Sequence, residues 1–260
     1  MEETFSETSL FDELRDNLSE INSFRPFDLV FYGSRARGDH TPISDYNFYL
    51  IASVQDQMNG TFIQSIGKAL NLLESESSVS LVAGDRDSFR MRVELFEPTS
   101  IHLCELGQVL YGQNDFVKLQ EEWQTIKHRK PDIPALLSFL DNRYNFYKTL
   151  KPRNTKEDVS RLEKILQLNL QIWILNHIPD LTVTEIWFMD IPSRLILLLQ
   201  KMYGSEINEE VKLLITLYEE IHELKQNIRM IFPYSDNQMN RIKESIQQIR
   251  GLSKILEKKS

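Results

Sequence analysis

The chain has 260 residues, of which 41% are hydrophobic and 26% are charged, and its formal net charge is −8. This composition is typical of a soluble globular protein, and the length is enough for one large or two ordinary domains. The negative charge disfavours general affinity for nucleic acid, because sequence-independent binding depends on lysine and arginine contacts with phosphate. Nucleic acid is therefore not an expected partner.

The cysteine content and the distribution of apolar residues favour a cytoplasmic protein. Cys104 is the one cysteine, which excludes an intramolecular disulfide and suits a reducing compartment. No stretch approaches the ~20 apolar residues that a membrane span needs. The N-terminal segment is acidic and lacks the basic and then apolar order of a secretion signal. We therefore expect a cytoplasmic location and no membrane partner.

Up to about residue 115 the sequence alternates helical and strand patterns. Helices are predicted where apolar residues recur at helical spacing, and strands where short apolar runs occur. The predicted elements are a helix at 9–21, strands at 28–32 and 46–52, a helix at 61–73, and two short strands at 78–82 and 89–96. The AGDRDS segment between the last two strands has the residues typical of a hairpin turn.

One segment carries most of the chemical information: residues 33–49, GSRARGDHTPISDYNFY. The apolar run before Gly33 predicts a buried strand that ends in a tight turn. Gly33 allows the backbone to approach a ligand closely, and Ser34 is expected to cap a following helix while it faces an anion. Asp45 and Asn47 project from one face of the next strand. A phosphate-binding loop followed by two metal ligands suits a nucleoside triphosphate with Mg²⁺.

This segment resembles the signature of the DNA polymerase β-like nucleotidyltransferase superfamily, in particular its minimal nucleotidyltransferases and aminoglycoside adenylyltransferases. Asn47 departs from the signature, because the family has a second carboxylate at that position. The helix, glycine and strand pattern that ends at 106–112 is also similar to the end of these catalytic domains. The matching signature positions are Gly33, Ser34, Ala36, Arg37, Gly38, Ser44 and Asp45.

The resemblance implies a Mg²⁺-dependent transfer of a nucleoside monophosphate, most often AMP from ATP, to a hydroxyl group of a small molecule or protein. It assigns the metal ions to Asp45, Asn47 and a third carboxylate on an adjacent strand, which in many members also accepts the proton of the nucleophile. Asn47 keeps an oxygen ligand but loses a negative charge, so the affinity for metal should fall. The nucleotide-binding residues that it implies are Gly33, Ser34, Arg35, Arg37 and Ser44.

Three placements of the third carboxylate are open. On the first of the two short strands the position falls on Ser80, and general-base catalysis would then be lost. On the second strand it falls on Glu94, which we prefer because its apolar neighbours suit a central strand. Glu94 is then the second catalytic residue beside Asp45, and the third metal ligand. Asp85 and Asp87, in the predicted hairpin turn, are the least favoured choice.

The two arginines of the loop have two interpretations. From the turn after Ser34, the guanidinium groups of Arg35 and Arg37 are expected to reach the β- and γ-phosphates of a nucleotide. In the alternative, one of them forms an ion pair with an acid of the same loop, such as Asp39.

The second half of the chain has a helical pattern throughout. Amphipathic segments at 191–202, 208–230 and 236–257 are separated by breaks at 204–205 and 232–235. This pattern predicts antiparallel helices joined by short loops, and it resembles the HEPN-type bundles that follow such catalytic domains. We therefore predict an α+β fold: a small mixed β-sheet nucleotidyltransferase-like domain with flanking helices at 1–115, and an all-α helical bundle at 116–260.

The favoured hypothesis is a nucleotidyltransferase with a partly degenerate metal site. The alternative is a catalytically inactive protein of the same fold that binds a nucleotide or a protein. Asn47 favours it, and so does Ser80 if Ser80 is the third position. A HEPN ribonuclease is disfavoured, because such enzymes use an arginine followed after four to six residues by a histidine, and His128, His177 and His222 of the helical half have no arginine at that distance upstream. The expected partners are a nucleoside triphosphate and a small-molecule or protein acceptor, and a homodimer is left open.

Overall fold

The computed structural model describes residues 7–40, 44–73, 78–112, 115–149, 156–178 and 180–189, with short pieces between 193 and 251. The protein has an α+β fold with one four-stranded mixed sheet among these residues. Two compact units are present: Met1–Glu94 with Thr99–Ile126, and Leu95–Pro98 with Lys127–Ser260. Over the ranges described, no helix combines the length and apolar character needed to cross a membrane.

The sheet is built from strands that are distant in sequence. Its order is β3-β2-β1-β4, in which β1 is antiparallel to both neighbours and β2 is parallel to β3. A parallel pair needs a long crossover connection, and α3, α4 and a 3-10 turn at Asn71–Leu73 provide it. The elements up to residue 126 are α1 (Glu7–Ser19), β1 (Asp28–Tyr32), α2 (Ser34–Arg37), β2 (Tyr46–Ile51), α3 (Val54–Met58), α4 (Gly60–Leu70), β3 (Val79–Gly84), α5 (Arg86–Glu94), α6 (Pro98–Leu106), β4 (Gln108–Tyr111) and α7 (Asp115–Ile126).

Most of the elements predicted for this part of the chain are confirmed. The helices at 9–21 and 61–73 correspond to α1 and to α4 with its 3-10 turn, and the strands at 28–32 and 46–52 correspond to β1 and β2. The strand at 78–82 is the first part of β3. The helix, glycine and strand pattern at 106–112 is the end of α6, Gly107 and β4.

The predicted hairpin after β3 is wrong. Residues 86–94 form α5 instead of a strand. Asp85 explains the start of this helix, because its carboxylate accepts hydrogen bonds from the backbone N–H and the hydroxyl of Ser88, at 2.9 and 2.6 Å. Burial opposes ionisation of Asp85, but the hydrogen bonds from Ser88 outweigh it and lower the pKa of this carboxyl. Phe89 and Val93, four residues apart, are the buried residues of the helix.

The two faces of β2 have different surroundings. Tyr46, Phe48 and Leu50 belong to a buried core. Asn47 and Tyr49 point to the opposite face, as the alternation of side chains along a strand predicts. There the ring of Tyr49 lies 5.3 Å from that of Phe89 in α5. The polar residues of β2 and the helix α5 are therefore on the same side of the sheet.

The described part of the second unit is helical. It contains α8 (Ile133–Thr149), α9 (Lys156–His177) and α10 (Val183–Phe188), and α8 packs against α9. Residues 168–175 of α9 are buried on every side, which is typical of a central helix. The predicted helices at 191–202, 208–230 and 236–257 lie almost wholly outside the described residues. The all-α bundle therefore stays a prediction.

A short segment after α5 belongs to this second unit. Phe96 has a φ of +58°, and its carbonyl accepts a 2.8 Å hydrogen bond from the buried amide of Gln171 in α9. The next residue, Glu97, is buried, and its carboxylate lies 3.3 Å from Arg143 in α8. These polar contacts attach residues 95–98 to the helical unit.

Candidate functional site

The signature loop forms a tight turn between β1 and β2. Gly33 has φ +91° and ψ −162°, the helix α2 follows it directly, and Gly38 ends that helix in the left-handed conformation with φ +79°. Gly33 is the N-cap of α2, and no side chain caps this helix. The predicted capping role of Ser34 is therefore wrong, because Ser34 is already the first helical residue.

The loop lies directly against the polar face of β2. A Cβ atom added to Gly33 would be 2.8 Å from Nδ2 of Asn47, closer than carbon and nitrogen atoms normally approach. Tyr32, the residue before Gly33, is the cross-strand partner of Asn47. The fold thus brings together the two parts of the signature, which are more than ten residues apart in sequence.

A row of polar side chains continues from β2 to β3. Asn47 is paired with Ser80 in the parallel register, and the hydroxyl of Ser78 donates a hydrogen bond to Oδ1 of Asp45. The amide of Asn47 donates to the backbone carbonyl of Asp45 at 3.2 Å. We call Asp45, Asn47, Ser78 and Ser80 the polar face. It offers one carboxylate, one amide and two hydroxyl groups.

The register shows which of the candidate residues for the third carboxylate position lies beside Asn47. Ser80 lies beside Asn47 on the adjacent parallel strand, whereas Glu94 is on the helix α5. The expectation that Glu94 stands on a central strand is wrong. Its side chain is 60% exposed, and its carboxylate lies 3.4 Å from Nε of Arg90. Asp85 follows the last residue of β3, at the opposite end of that strand from Ser80.

The possible metal ligands of the polar face determine which kind of metal ion could bind there. Among the described residues, no group of three or more His, Cys, Asp or Glu side chains could hold a metal ion. Mg²⁺ at nucleotide sites is commonly bound by one or two carboxylates together with the phosphates of the substrate. Asp45 and the amide oxygen of Asn47 fit one Mg²⁺ ion that accompanies a triphosphate. They do not fit a pair of ions held by three carboxylates.

The two loop arginines have different surroundings. Nε of Arg35 donates a 2.8 Å hydrogen bond to the carbonyl of Ser44, and its guanidinium carbon lies 4.2 Å from the ring centre of Tyr46. The hydrogen bond to Ser44 closes the loop and stabilises it. Tyr46 belongs to the buried core on the other face of β2, so Arg35 lies on that side of the strand. The polar face is on the opposite side of the strand.

Arg37 is held by two neighbours. Its Nε lies 3.0 Å from Oδ2 of Asp39, so the ion pair that was the alternative interpretation is present. Its Nη1 lies 3.3 Å from Nε2 of His102 in α6. The guanidinium remains partly exposed, at 34% of its side-chain surface, and is therefore accessible to an anion.

His102 is a member of the site that sequence reasoning missed. Its ring makes an edge contact with Tyr32, with 6.4 Å between ring centres, and Tyr32 is the partner of Asn47 in the sheet. Burial, and then the charge of Arg37, lower the pKa of His102 to about 4, although Asp39 opposes this effect. The imidazole is therefore neutral at pH 7. No local pattern marks this residue, because α6 comes beside the loop only in the folded chain.

No family model and no curated protein matches the chain. The structural features that bear on function are the strand–glycine–helix–strand order of β1, α2 and β2, the parallel neighbour β3, and the polar face beside Gly33.

A concave region lies at the other end of the sheet. This cavity of about 510 Å³ is lined by Asp28, Asp85 and Asp115 among other residues. Asp28 accepts a 2.6 Å hydrogen bond from the backbone of Phe116, Asp85 caps α5, and Asp115 pairs with Arg86 at 3.2 Å. These carboxylates hold elements together, so the polar face is the better candidate site.

The environment of His102 predicts a pH dependence of stability. The pKa of this residue falls from 6.5 to about 4 on folding, so between these values the unfolded chain binds a proton that the folded chain does not. Stability is therefore complete above pH 6.5 and is lost as the pH falls towards 4, by at most about 3 kcal/mol from this residue. We expect urea denaturation at pH 7.5 and 4.5 to show a smaller pH-dependent loss in His102→Gln than in the wild type. Equal losses of stability in the wild type and in His102→Gln would contradict the lowered pKa of His102.

Proposed function

We propose that this protein binds a nucleoside triphosphate with its Mg²⁺ ion at residues 33–38 and the polar face, and that it does not transfer the nucleotide. In this proposal it is an inactive protein of the polymerase β-like nucleotidyltransferase fold that acts as a nucleotide-binding module. The observation that carries the proposal is the contact of Gly33 with Asn47. That contact places the loop beside Asn47, on the polar face that also carries Asp45, and so supports a single binding site.

Binding is supported by the charges around the loop. Arg37 presents a partly exposed guanidinium, and the neutral His102 beside it accepts a hydrogen bond from this group without cancelling its positive charge. Asp45 lies on the polar face, where one carboxylate suits a metal ion that is already coordinated by phosphates. The site therefore has a group for the anionic phosphates and a group for their cation.

Transfer is disfavoured by what stands next to Asp45. Nucleotidyl transfer forms a bond between the acceptor oxygen and the α-phosphorus, breaks the bond to the leaving pyrophosphate, and requires a group that takes the acceptor proton. Metal ions held by carboxylates stabilise the attacking and leaving oxygens in such reactions. Among the described residues of the polar face, Asn47 and Ser80 are neutral, so Asp45 alone would have to compensate the metal charge and accept the proton. Glu94 is an exposed side chain on α5.

The second candidate function is transfer itself: AMP from ATP, or another nucleoside monophosphate, to a hydroxyl of a small-molecule or protein acceptor. The observation that favours it is Asp45, the family's first carboxylate, on the face that adjoins the loop. In this case the acceptor or the triphosphate would have to supply the base. The two candidates share the binding site and differ in the release of pyrophosphate.

The binding half of the proposal is tested by calorimetric titration. ATP, CTP, GTP and UTP would each be added to the full chain with and without Mg²⁺. We expect Mg²⁺-dependent binding of at least one of them, weakened at least tenfold in Asp45→Ala, which corresponds to about 1.4 kcal/mol. Asp16→Ala changes an exposed aspartate of α1 and serves as the matched control. Absence of binding by all four nucleotides would refute the proposal.

The catalytic half is tested by pyrophosphate release from the nucleotide that binds. We expect none from the wild type with candidate hydroxyl acceptors. We also expect the double variant Asn47→Asp with Ser80→Asp to bind Mg²⁺ more tightly than the wild type, because it has two additional carboxylates on the polar face. Pyrophosphate release by the wild type that disappears in Asp45→Ala would establish the transferase instead.

A further inference from the structure

Two side chains, one from α6 and one from β4, hold the helix α2. Nε2 of Gln108, the first residue of β4, donates a 2.8 Å hydrogen bond to the carbonyl of Ala36. His102 in α6 contacts the guanidinium of Arg37, with 3.3 Å between Nη1 and Nε2. Gln108 therefore fixes the backbone of α2, and His102 fixes the charged group that α2 carries.

The protonation state of His102 determines the direction of this contact. An arginine nitrogen can only donate, so Nε2 of the imidazole must accept and the ring must be neutral. Burial and the charge of Arg37 keep it neutral by lowering the pKa to about 4. The groups that face the ring include Arg37 and Asp39 on the loop and Tyr32 on β1. The contact is therefore present across the physiological pH range.

We propose that His102 is a positioning residue that holds the guanidinium of Arg37 in the orientation in which it binds a phosphate oxygen of the nucleotide. This inference rests on the proposed function. An arginine side chain has many rotamers, and restricting them before binding reduces the entropy lost when the ligand arrives. Asp39 holds Nε of the same guanidinium, so the group is fixed from two sides. His102 is also on the side of the sheet that carries Asn47, through its contact with Tyr32.

The test is a double-mutant cycle between the two residues, with inorganic tripolyphosphate and Mg²⁺-ATP as the probes. We expect His102→Phe, which cannot accept a hydrogen bond, to weaken the binding of both probes about five- to tenfold. His102→Gln places an acceptor near the position of Nε2 and is expected to stay within about threefold of the wild type. His102→Asn is too short to reach Arg37 and should behave like His102→Phe, so it replaces that variant if the latter does not fold.

The cycle separates positioning from a purely structural role. If His102 acts through Arg37, Arg37→Gln combined with His102→Phe binds no more weakly than Arg37→Gln alone. Additive losses would overturn the inference and leave the proposed function intact, provided that the wild type binds both probes. The proposed function and this inference are overturned together if the wild type binds neither probe and also fails to bind CTP, GTP and UTP. If another nucleotide binds in place of ATP, it replaces ATP as the probe. Gln108→Ala is the control for a loosened α2. It should change the affinity for the probes by the same factor in the wild type and in Arg37→Gln.

Discussion

Gly33→Ala is expected to abolish detectable nucleotide binding and to destabilise the protein by about 2–4 kcal/mol. With φ at +91° and ψ at −162°, Gly33 has a backbone conformation that residues with a Cβ atom rarely adopt. The added carbon would also lie 2.8 Å from Nδ2 of Asn47. Asn47 cannot move freely, because it is part of β2 and its side-chain amide donates a hydrogen bond to the backbone carbonyl of Asp45. The substitution must therefore displace the loop from the polar face.

Gly38→Ala is the matched control. Gly38 also has a positive φ, at +79°, but a Cβ atom at this position meets nothing within 4 Å. We expect a stability loss of about 1–2 kcal/mol from the left-handed backbone alone and nearly unchanged nucleotide affinity. Chemical denaturation and calorimetric titration of the two variants give both quantities. Wild-type nucleotide affinity in Gly33→Ala would show that the loop and the polar face do not act as one site.

Asp56→Ala is expected to lower the free energy of unfolding by about 3–4 kcal/mol. Asp56 in α3 is fully buried, and its carboxylate accepts hydrogen bonds from the backbone of Phe24 at 2.7 Å and of Arg25 at 3.3 Å. It also accepts from the hydroxyl of Ser53 at 2.6 Å. Alanine would leave these donors unsatisfied, and it would free the segment that leads into β1.

Asp56→Asn separates the loss of hydrogen bonds from the loss of charge. The amide retains one acceptor oxygen, so we expect about half of the loss in Asp56→Ala. Urea denaturation of both variants and the wild type provides the comparison. A loss below about 1 kcal/mol in Asp56→Ala would mean that water accepts the three hydrogen bonds in place of the carboxylate. The segment before β1 would then not depend on Asp56.

Local sequence patterns were sufficient for most elements of the first unit. The spacing of apolar residues in α1 and α4 and the apolar run of β1 are properties of each segment alone, and the structure confirms all three. The segment 86–94 shows where this reasoning fails. Its apolar residues suit either period, and the AGDRDS segment before it has the residues of a hairpin turn, so the local pattern predicts a strand. The cap at Asp85 was the local signal that favoured the helix.

The chain's own sequence determined the loop of the candidate site and the departure at Asn47. Gly33 and Asp45 are specified by short-range spacing, because a tight turn and an alternating strand follow from a few consecutive residues. Tertiary structure alone decided that Ser80, and not Glu94, stands beside Asn47, because the register between two strands depends on the packing of the whole sheet. It also decided that His102 contacts Arg37. Contacts between residues 65 positions apart depend on how helices pack on the sheet, which no local pattern encodes.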